Sequence, residues 1–139
     1  MTRGNTENYI EPRELTELSK RAQDYIEVMY ALQREYGRIR IKDIAERLSV
    51  KPSSVIEYLR RLMDMGYVIY KPGTRIRLTE KGKKVGEAIY QKHLVIKEFL
   101  ILLGVPENIA EIDACYIEHG IHKITLEKIT NFIKKCREK

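Results

Sequence analysis

Residues 41–79 read IKDIAERLSVKPSSVIEYLRRLMDMGYVIYKPGTRIRLT, and this stretch decides the fold. Its first eight residues place Ile44, Ala45 and Leu48 on one side of a helix, because residues three and four apart share a helix face. A three-residue turn follows. Pro52 then suits the first position of a second helix, where its missing N–H is not needed. The pattern predicts two short helices joined by a tight turn, which is a helix-turn-helix.

The same stretch ends in two extended segments. The second helix is predicted to stop at Gly66, since glycine is the usual residue just beyond a helix end. Residues 67–71 and 75–79 flank a Pro-Gly-Thr turn, which predicts a β-hairpin. In the second segment, Arg75 and Arg77 occupy alternate positions, so one edge is basic. The whole stretch therefore has the layout of a winged helix-turn-helix.

Duplex DNA is the partner that this layout predicts. The second helix would enter the major groove by its N-terminal end, where the hydroxyls of Ser53 and Ser54 suit base edges or phosphates. The hairpin, or wing, would lie along the sugar-phosphate backbone. We predict DNA contacts from Lys51, Pro52, Ser53, Ser54, Tyr58, Arg60 and Arg61 at the second helix, and from Lys71, Thr74, Arg75 and Arg77 in the wing.

Helices are predicted on both sides of this stretch. Ser19 would cap a helix that ends at Gly37, and Thr79 would cap a long helix to about Leu103. Two more helices would follow, over residues 107–119 and from a cap at Thr125 to about residue 135. We expect a mainly α fold in three parts: an N-terminal arm (1–18), a winged helix-turn-helix DNA-binding domain with a small β-wing (19–79) and a helical domain (80–139). The long helix is predicted to turn inward Val85, Ile89, Ile96, Leu100 and Leu103.

Composition agrees with a DNA-binding chain. The 139 residues carry a net charge of +6, and a basic excess favours polyanions because neutralised phosphates release counterions. No apolar run is as long as a membrane span, and the N-terminus has no secretory signal, so we expect a cytoplasmic protein without membrane contact.

Acids, histidines and a cysteine recur at helical spacing. Asp24 and Glu27 lie three residues apart, and Cys115, Glu118 and His119 share one face of a predicted helix. His93 falls on the apolar face of the long helix. Each of these is ordinary alone, as a solvated face or a satisfied core residue. Together, carboxylates, imidazoles and a thiolate can satisfy a divalent first-row metal.

Several segments in order resemble the DtxR/MntR family of metal-dependent repressors, from about Ser19 to the last helix. These segments are Asp24-Tyr25-Ile26-Glu27, Pro52-Ser53-Ser54-Val55, Leu78-Thr79-Glu80-Lys81-Gly82-Lys83-Lys84, His93, Leu102-Leu103-Gly104-Val105 and Ile117-Glu118-His119. The resemblance implies a homodimer, with residues 80–139 as the metal-binding and dimerisation domain. It implies the metal ligands Asp24, Glu27, His93, Cys115, Glu118 and His119.

The ligand set departs from both branches of that family. The manganese-responsive branch, which the set otherwise resembles, has a carboxylate where this chain has Cys115, while the iron-responsive branch has a cysteine there. A second ligand site of the iron branch is incomplete, with Lys97 in place of an acid and Glu111 in place of a histidine. The chain resembles a short form, without the SH3-like domain of many iron-responsive members.

We therefore predict a transcriptional repressor that binds operator DNA as a homodimer when loaded with Fe(II) or Mn(II). The alternative is a metal-independent winged-helix regulator whose polar cluster is a structural hydrogen-bond network. An enzyme is not expected, nor a small-molecule substrate, because the sequence has no Gly-rich phosphate loop and no evident nucleophile with its base.

Overall fold

A computed structural model describes residues 13–138, and the contacts within the chain divide it into two compact units. The first unit comprises residues 14–87, and the second comprises residues 88–138 with Arg13. The division therefore falls inside the long helix rather than at its start, where the sequence predicted a boundary. Most of the predicted arm, residues 1–12, lies outside the described residues.

The described elements follow the predicted order, and the mainly α fold is confirmed. No helix within residues 13–138 has the length and apolar character that a membrane span requires. The elements are α1 (Arg13–Glu17), α2 (Lys20–Tyr36), α3 (Ile41–Leu48), α4 (Pro52–Asp64), β1 (Val68–Ile69), β2 (Arg77–Leu78), α5 (Glu80–Leu102), α6 (Glu107–Ile117) and α7 (Lys123–Arg137).

The helix-turn-helix of the first unit is formed by α3 and α4. Ser49 ends α3 in the left-handed conformation, with φ of 55°, and the N–H of Val50 donates to the carbonyl of Ala45. These features reverse the chain within three residues and bring α4 back onto α3. The core beneath is apolar and consists of Tyr25, Ile26, Met29 and Leu32 from α2, Ile44 from α3, and Val55, Leu59 and Leu62 from α4.

The wing is shorter than predicted. Each predicted strand had five residues, but only Val68–Ile69 and Arg77–Leu78 pair, in antiparallel register with Val68 opposite Leu78. Val68 and Leu78 are the buried pair, so the hairpin has a single inward-facing rung to stabilise it. Residues 71–75 then form an exposed loop, in which the hydroxyl of Thr74 donates to the carbonyl of Lys71.

Two predicted helix caps and one helix end are confirmed. The hydroxyl oxygen of Ser19 accepts from the N–H of Ala22 at the start of α2, which ends at Gly37 in the left-handed conformation. Thr79 caps α5 by accepting from the N–H of Gly82, and it also donates to the carbonyl of Gly66. This second bond ties the start of α5 to the turn before the wing, so the first turns of α5 pack as part of the first unit.

The second unit packs the remainder of α5 with α6 and α7. Two predictions about it are wrong. The last helix begins after His122, three residues before the predicted cap Thr125, because residues 123–125 continue the helical turn. Leu103 is exposed, since α5 ends one residue earlier and the chain turns away at Gly104. The core consists of Val95, Ile96, Ala114, Leu126, Ile129 and Ile133.

Candidate nucleic-acid interface and metal centre

The N-terminal end of α4 is open to solvent. Lys51, Pro52 and Ser53 are exposed, Ser54 is half-buried, and no side chain caps this helix end. The positive end of a helix dipole with free amides attracts phosphate. The α4 N-terminus therefore has amides that could donate to a phosphate.

Tyr58 differs from the other residues predicted to contact DNA. It is 6% exposed, its ring stacks on Tyr25 with centroids 4.5 Å apart, and the guanidinium of Arg21 lies over it. Tyr58 therefore serves in packing α4 against α2. Arg60 and Arg61, further along α4, are exposed.

The four wing residues, Lys71, Thr74, Arg75 and Arg77, are all exposed. Two further arginines, which the sequence reading missed, line a surface cleft with Arg75 and Arg77: Arg38 and Arg40, in the link between α2 and α3. The sequence did carry a sign of this, because basic and apolar residues alternate in the link. Ile39 is buried, so Arg38 and Arg40 on either side of it face outward. The basic surface of the first unit therefore continues from the wing onto this link.

His93 is the centre of a polar cluster in the second unit. It is 8% exposed on α5, and its two ring nitrogens face different groups. Nδ1 lies 3.8 Å from Sγ of Cys115 and 3.5 Å from Oε1 of Glu118, while Nε2 pairs with the carboxylate of Glu111. Three potential ligand atoms, from His93, Glu111 and Cys115, all lie within 4.8 Å of one another.

Glu118 is the most informative member of this cluster. It is 3% exposed, and neither of its carboxylate oxygens accepts a hydrogen bond from any described residue. A buried carboxylate without donors is costly unless a cation compensates it. An imidazole, a thiol and a carboxylate are all donor types that divalent transition metals accept.

The electrostatics of His93 agree with a cation-seeking site. Burial by itself lowers the pKa of His93, but its contacts with Cys115 and Glu118 and the negative charges of Glu118 and Glu111 outweigh burial and raise the pKa to about 11. His93 therefore carries a positive charge at neutral pH, and it must release its proton to act as a ligand.

The six predicted ligands belong to both units of the chain. His93, Cys115 and Glu118 converge within the second unit. His119 directly follows Glu118, beyond the end of α6. Asp24 and Glu27 are half-buried on α2 of the first unit. Glu111, which was not among the predicted ligands, belongs to the cluster because it lies one helical turn before Cys115 on α6.

Comparison with known proteins identifies both parts of the chain. Residues 17–75 match the family described as iron dependent repressor, N-terminal DNA binding domain, and residues 79–139 match its metal binding and dimerisation domain. The chain is 37% identical over 124 residues to an uncharacterized HTH-type transcriptional regulator of Methanocaldococcus jannaschii, covering 88% of this chain and 99% of that one. It is also 37% identical over 116 residues to the HTH-type transcriptional regulator MntR of Geobacillus thermodenitrificans, covering 84% and 82%.

Solved structures show the same fold. A manganese-dependent transcriptional repressor in complex with manganese superposes with a TM-score of 0.68 at 27% identity, over 78% of this chain and 50% of that one. T. acidophilum IdeR has a TM-score of 0.70 at 22% identity, over 85% and 55%. The chain thus spans about half the length of these two solved chains. Members of this family are transcriptional regulators rather than enzymes. With both domains matched in order along the chain, this protein belongs to the DtxR/MntR family of metal-dependent transcriptional repressors.

Proposed function

We propose that this chain represses transcription in the cytoplasm by binding operator DNA as a homodimer when it is loaded with Fe(II) or Mn(II). The domain that binds DNA is residues 19–79, and the domain that binds metal and pairs is residues 80–139. The observation that carries the proposal is Glu118, whose buried oxygens lack donors beside His93 and Cys115. The ligand set is Asp24, Glu27, His93, Cys115, Glu118 and His119.

The proposed DNA surface lies on the first unit. The open N-terminus of α4 supplies Lys51, Pro52, Ser53 and Ser54 to base edges and phosphates, as the sequence predicted. Arg60 and Arg61 extend the same helix. Basic side chains along the wing and the link give the backbone contacts: Lys71, Arg75, Arg77, Arg38 and Arg40, with Thr74 among them.

Apolar side chains on the second unit support the homodimer. Ile109, Ile112 and Tyr116 are exposed along one face of α6, with Tyr116 78% exposed, and Ile124 and Phe132 are exposed on α7. Exposed apolar side chains in such number mark an interaction surface. A second copy of this unit offers an equally apolar surface, as a two-fold dimer interface requires.

Metal loading would control the two DNA-binding units of the dimer. Ligands drawn from α2 as well as from the second domain would limit the freedom of the DNA-binding unit, and hold two α4 helices near the roughly 34 Å spacing of successive major grooves. A ligand at 100 times its dissociation constant stabilises the bound form by about 2.7 kcal/mol, which is enough to shift operator affinity about 100-fold. Coupling is reciprocal, so operator DNA should tighten metal binding equally.

The donor chemistry and the relatives support different metals. The thiol of Cys115 favours a softer ion such as Fe(II) over Mn(II). The relatives named as manganese regulators favour Mn(II), and one solved relative holds Zn²⁺. We propose Fe(II) as the ion in the cell, with Mn(II) as the second choice.

Operator binding with and without metal tests this function. The operator is first selected from random duplex DNA by the Mn(II)-loaded protein under anaerobic conditions. Its affinity is then measured for metal-free, Mn(II)-loaded and Fe(II)-loaded protein. We expect metal loading to tighten binding about 100-fold. Equal affinity after complete chelation would contradict the proposal and favour the metal-independent regulator.

A further inference from the structure

Lys97 is a buried ammonium one helical turn after His93 on α5. It is 7% exposed, and its Nζ donates to Oε1 of Glu111 at 3.0 Å and to Oε1 of Glu107 at 3.4 Å. A buried lysine is costly unless it is paired, so these two carboxylates on α6 account for its position. Lys97 is therefore part of the polar cluster and is not a solvated surface charge.

Glu111 connects Lys97 to His93. Its Oε1 accepts from Lys97, and its Oε2 pairs with Nε2 of His93. The opposite nitrogen of the ring, Nδ1, faces Cys115 and Glu118. The ring thus has one side directed at a carboxylate that is already neutralised, and one side directed at a carboxylate whose oxygens have no donor.

We infer that Lys97 is a built-in cation that holds Glu111 on Nε2 of His93, so that only Nδ1 is available to a metal and no second divalent ion binds on the Glu111 side. The inference rests on the proposed function for the ion at Nδ1. Lys97 and Glu111 are positioning residues, since they act on the metal through His93.

Two arguments support this assignment. A histidine that ligates a metal generally donates its other N–H to a carboxylate, a backbone carbonyl or water, which sets the tautomer and the ring orientation, and Glu111 is placed for that role. Without Lys97, His93, Glu111 and Cys115 could hold a cation, because their ligand atoms lie within 4.8 Å of one another. An ammonium 3.0 Å from Glu111 neutralises that carboxylate and repels a second cation.

Metal stoichiometry of the full chain provides the first test. Metal-free wild type and Lys97→Glu are titrated with Cd(II) and with Mn(II), and bound metal per chain is measured after equilibrium dialysis, with circular dichroism as the check on folding. We expect Lys97→Glu to bind one ion per chain more than wild type. Equal stoichiometry in the folded variant would overturn the inference.

Three further variants keep the test independent of any one protein's folding. Lys97→Gln removes the charge with less disturbance, and we expect an added ion with weaker affinity than in Lys97→Glu. Lys97→Arg keeps the charge and should bind the same number of ions as wild type. Glu107→Gln is the matched control, because it removes only the longer and more exposed contact of Lys97, and its stoichiometry should equal that of wild type. Extra metal in Lys97→Arg or Glu107→Gln would count against the inference.

The ring nitrogens of His93 provide the second test. In ¹⁵N NMR of the wild-type chain loaded with Cd(II), we expect Nδ1 to be bound to metal and Nε2 to carry the proton. Metal on Nε2 would overturn the inference. A metal on Nδ1 that leaves operator affinity unchanged would support the inference and contradict the proposed function, so the two can fail separately.

Discussion

The two units of this protein both have an apolar core but differ in the charged groups that they bury. The first unit caps α2 and α5 with Ser19 and Thr79 and keeps its arginines exposed. The second unit buries His93, Lys97 and Glu118, and exposes apolar side chains along α6. The first unit thus presents a basic surface, whereas the second combines a buried carboxylate with exposed apolar side chains, and these features underlie the proposed metal site and dimer interface.

The largest effect is expected from the buried carboxylate of the second unit. Glu118→Gln removes a proposed metal ligand, so metal-loaded protein should lose about 2.7 kcal/mol of operator binding, about 100-fold in affinity. The metal-free variant should melt lower than wild type, because the imidazolium of His93, 3.5 Å from Oε1 of Glu118, loses a buried counter-charge. Fluorescence anisotropy measures the operator affinity, and thermal unfolding measures the melting temperature. Glu127→Gln, at an exposed position on α7, is the control; a metal response that survives Glu118→Gln would remove the contrast between the units.

The tight packing of the first unit is tested at Gly82. An added Cβ would lie 2.2 Å from the carbonyl oxygen of Tyr67, whereas at Gly120 nothing lies within 4 Å. Gly82→Ala should therefore lower the free energy of unfolding by about 2 kcal/mol, although alanine is the better helix former. Gly120→Ala should change it by about 0.5 kcal/mol or less. Urea unfolding measures both, and equal stabilities would show that the α5 contact with the wing is loose.

The apolar surface of the second unit is tested at Ile112. Ile112→Glu places a charge in the proposed dimer interface and should weaken dimerisation by at least tenfold, about 1.4 kcal/mol. Met65→Glu changes a comparably exposed apolar side chain of the first unit and should leave the dimer intact. Sedimentation equilibrium distinguishes them. If Met65→Glu dissociates the dimer and Ile112→Glu does not, the interface lies on the first unit and the proposal is wrong.

The basic surface of the first unit is tested at Arg38. Arg38→Ala should weaken operator and random duplex DNA alike, by a few-fold, and lower the slope of log affinity against log salt by about 1, because one phosphate contact is lost. Lys128→Ala, exposed on α7, should leave the slope unchanged. If only operator affinity falls, Arg38 reads sequence and is not a backbone contact.

The smallest effect concerns metal choice within the second unit. Cys115→Glu replaces a soft donor with a hard one and should move the ranking of metals in operator binding a few-fold toward Mn(II). Cys136→Ser removes the other exposed thiol of this unit and should leave the ranking of metals as in wild type. An unchanged ranking in Cys115→Glu would mean that Cys115 does not contact the ion.

Local sequence determined most of the helical architecture. The start and end of α3, the cap at Ser19 and the position of Pro52 in α4 were predicted because each depends on residues within one or two turns. The same reasoning failed at Thr125, which is a good cap by type but lies within a helix that already begins at Lys123. The same reasoning predicted five residues for each strand of the wing, where only two pair, because strand pairing depends on what the hairpin packs against.

Only the tertiary structure decided which polar side chains meet. The contacts of His93 with Glu111, Cys115 and Glu118 join α5 to residues 18 to 25 positions away, and helical periodicity carries no information on which faces come together. Packing likewise turned Tyr58 into a core residue and brought Arg38 beside the wing. Spacing along the chain sets what a helix can present, whereas burial and charge pairing between helices set which of those groups act together.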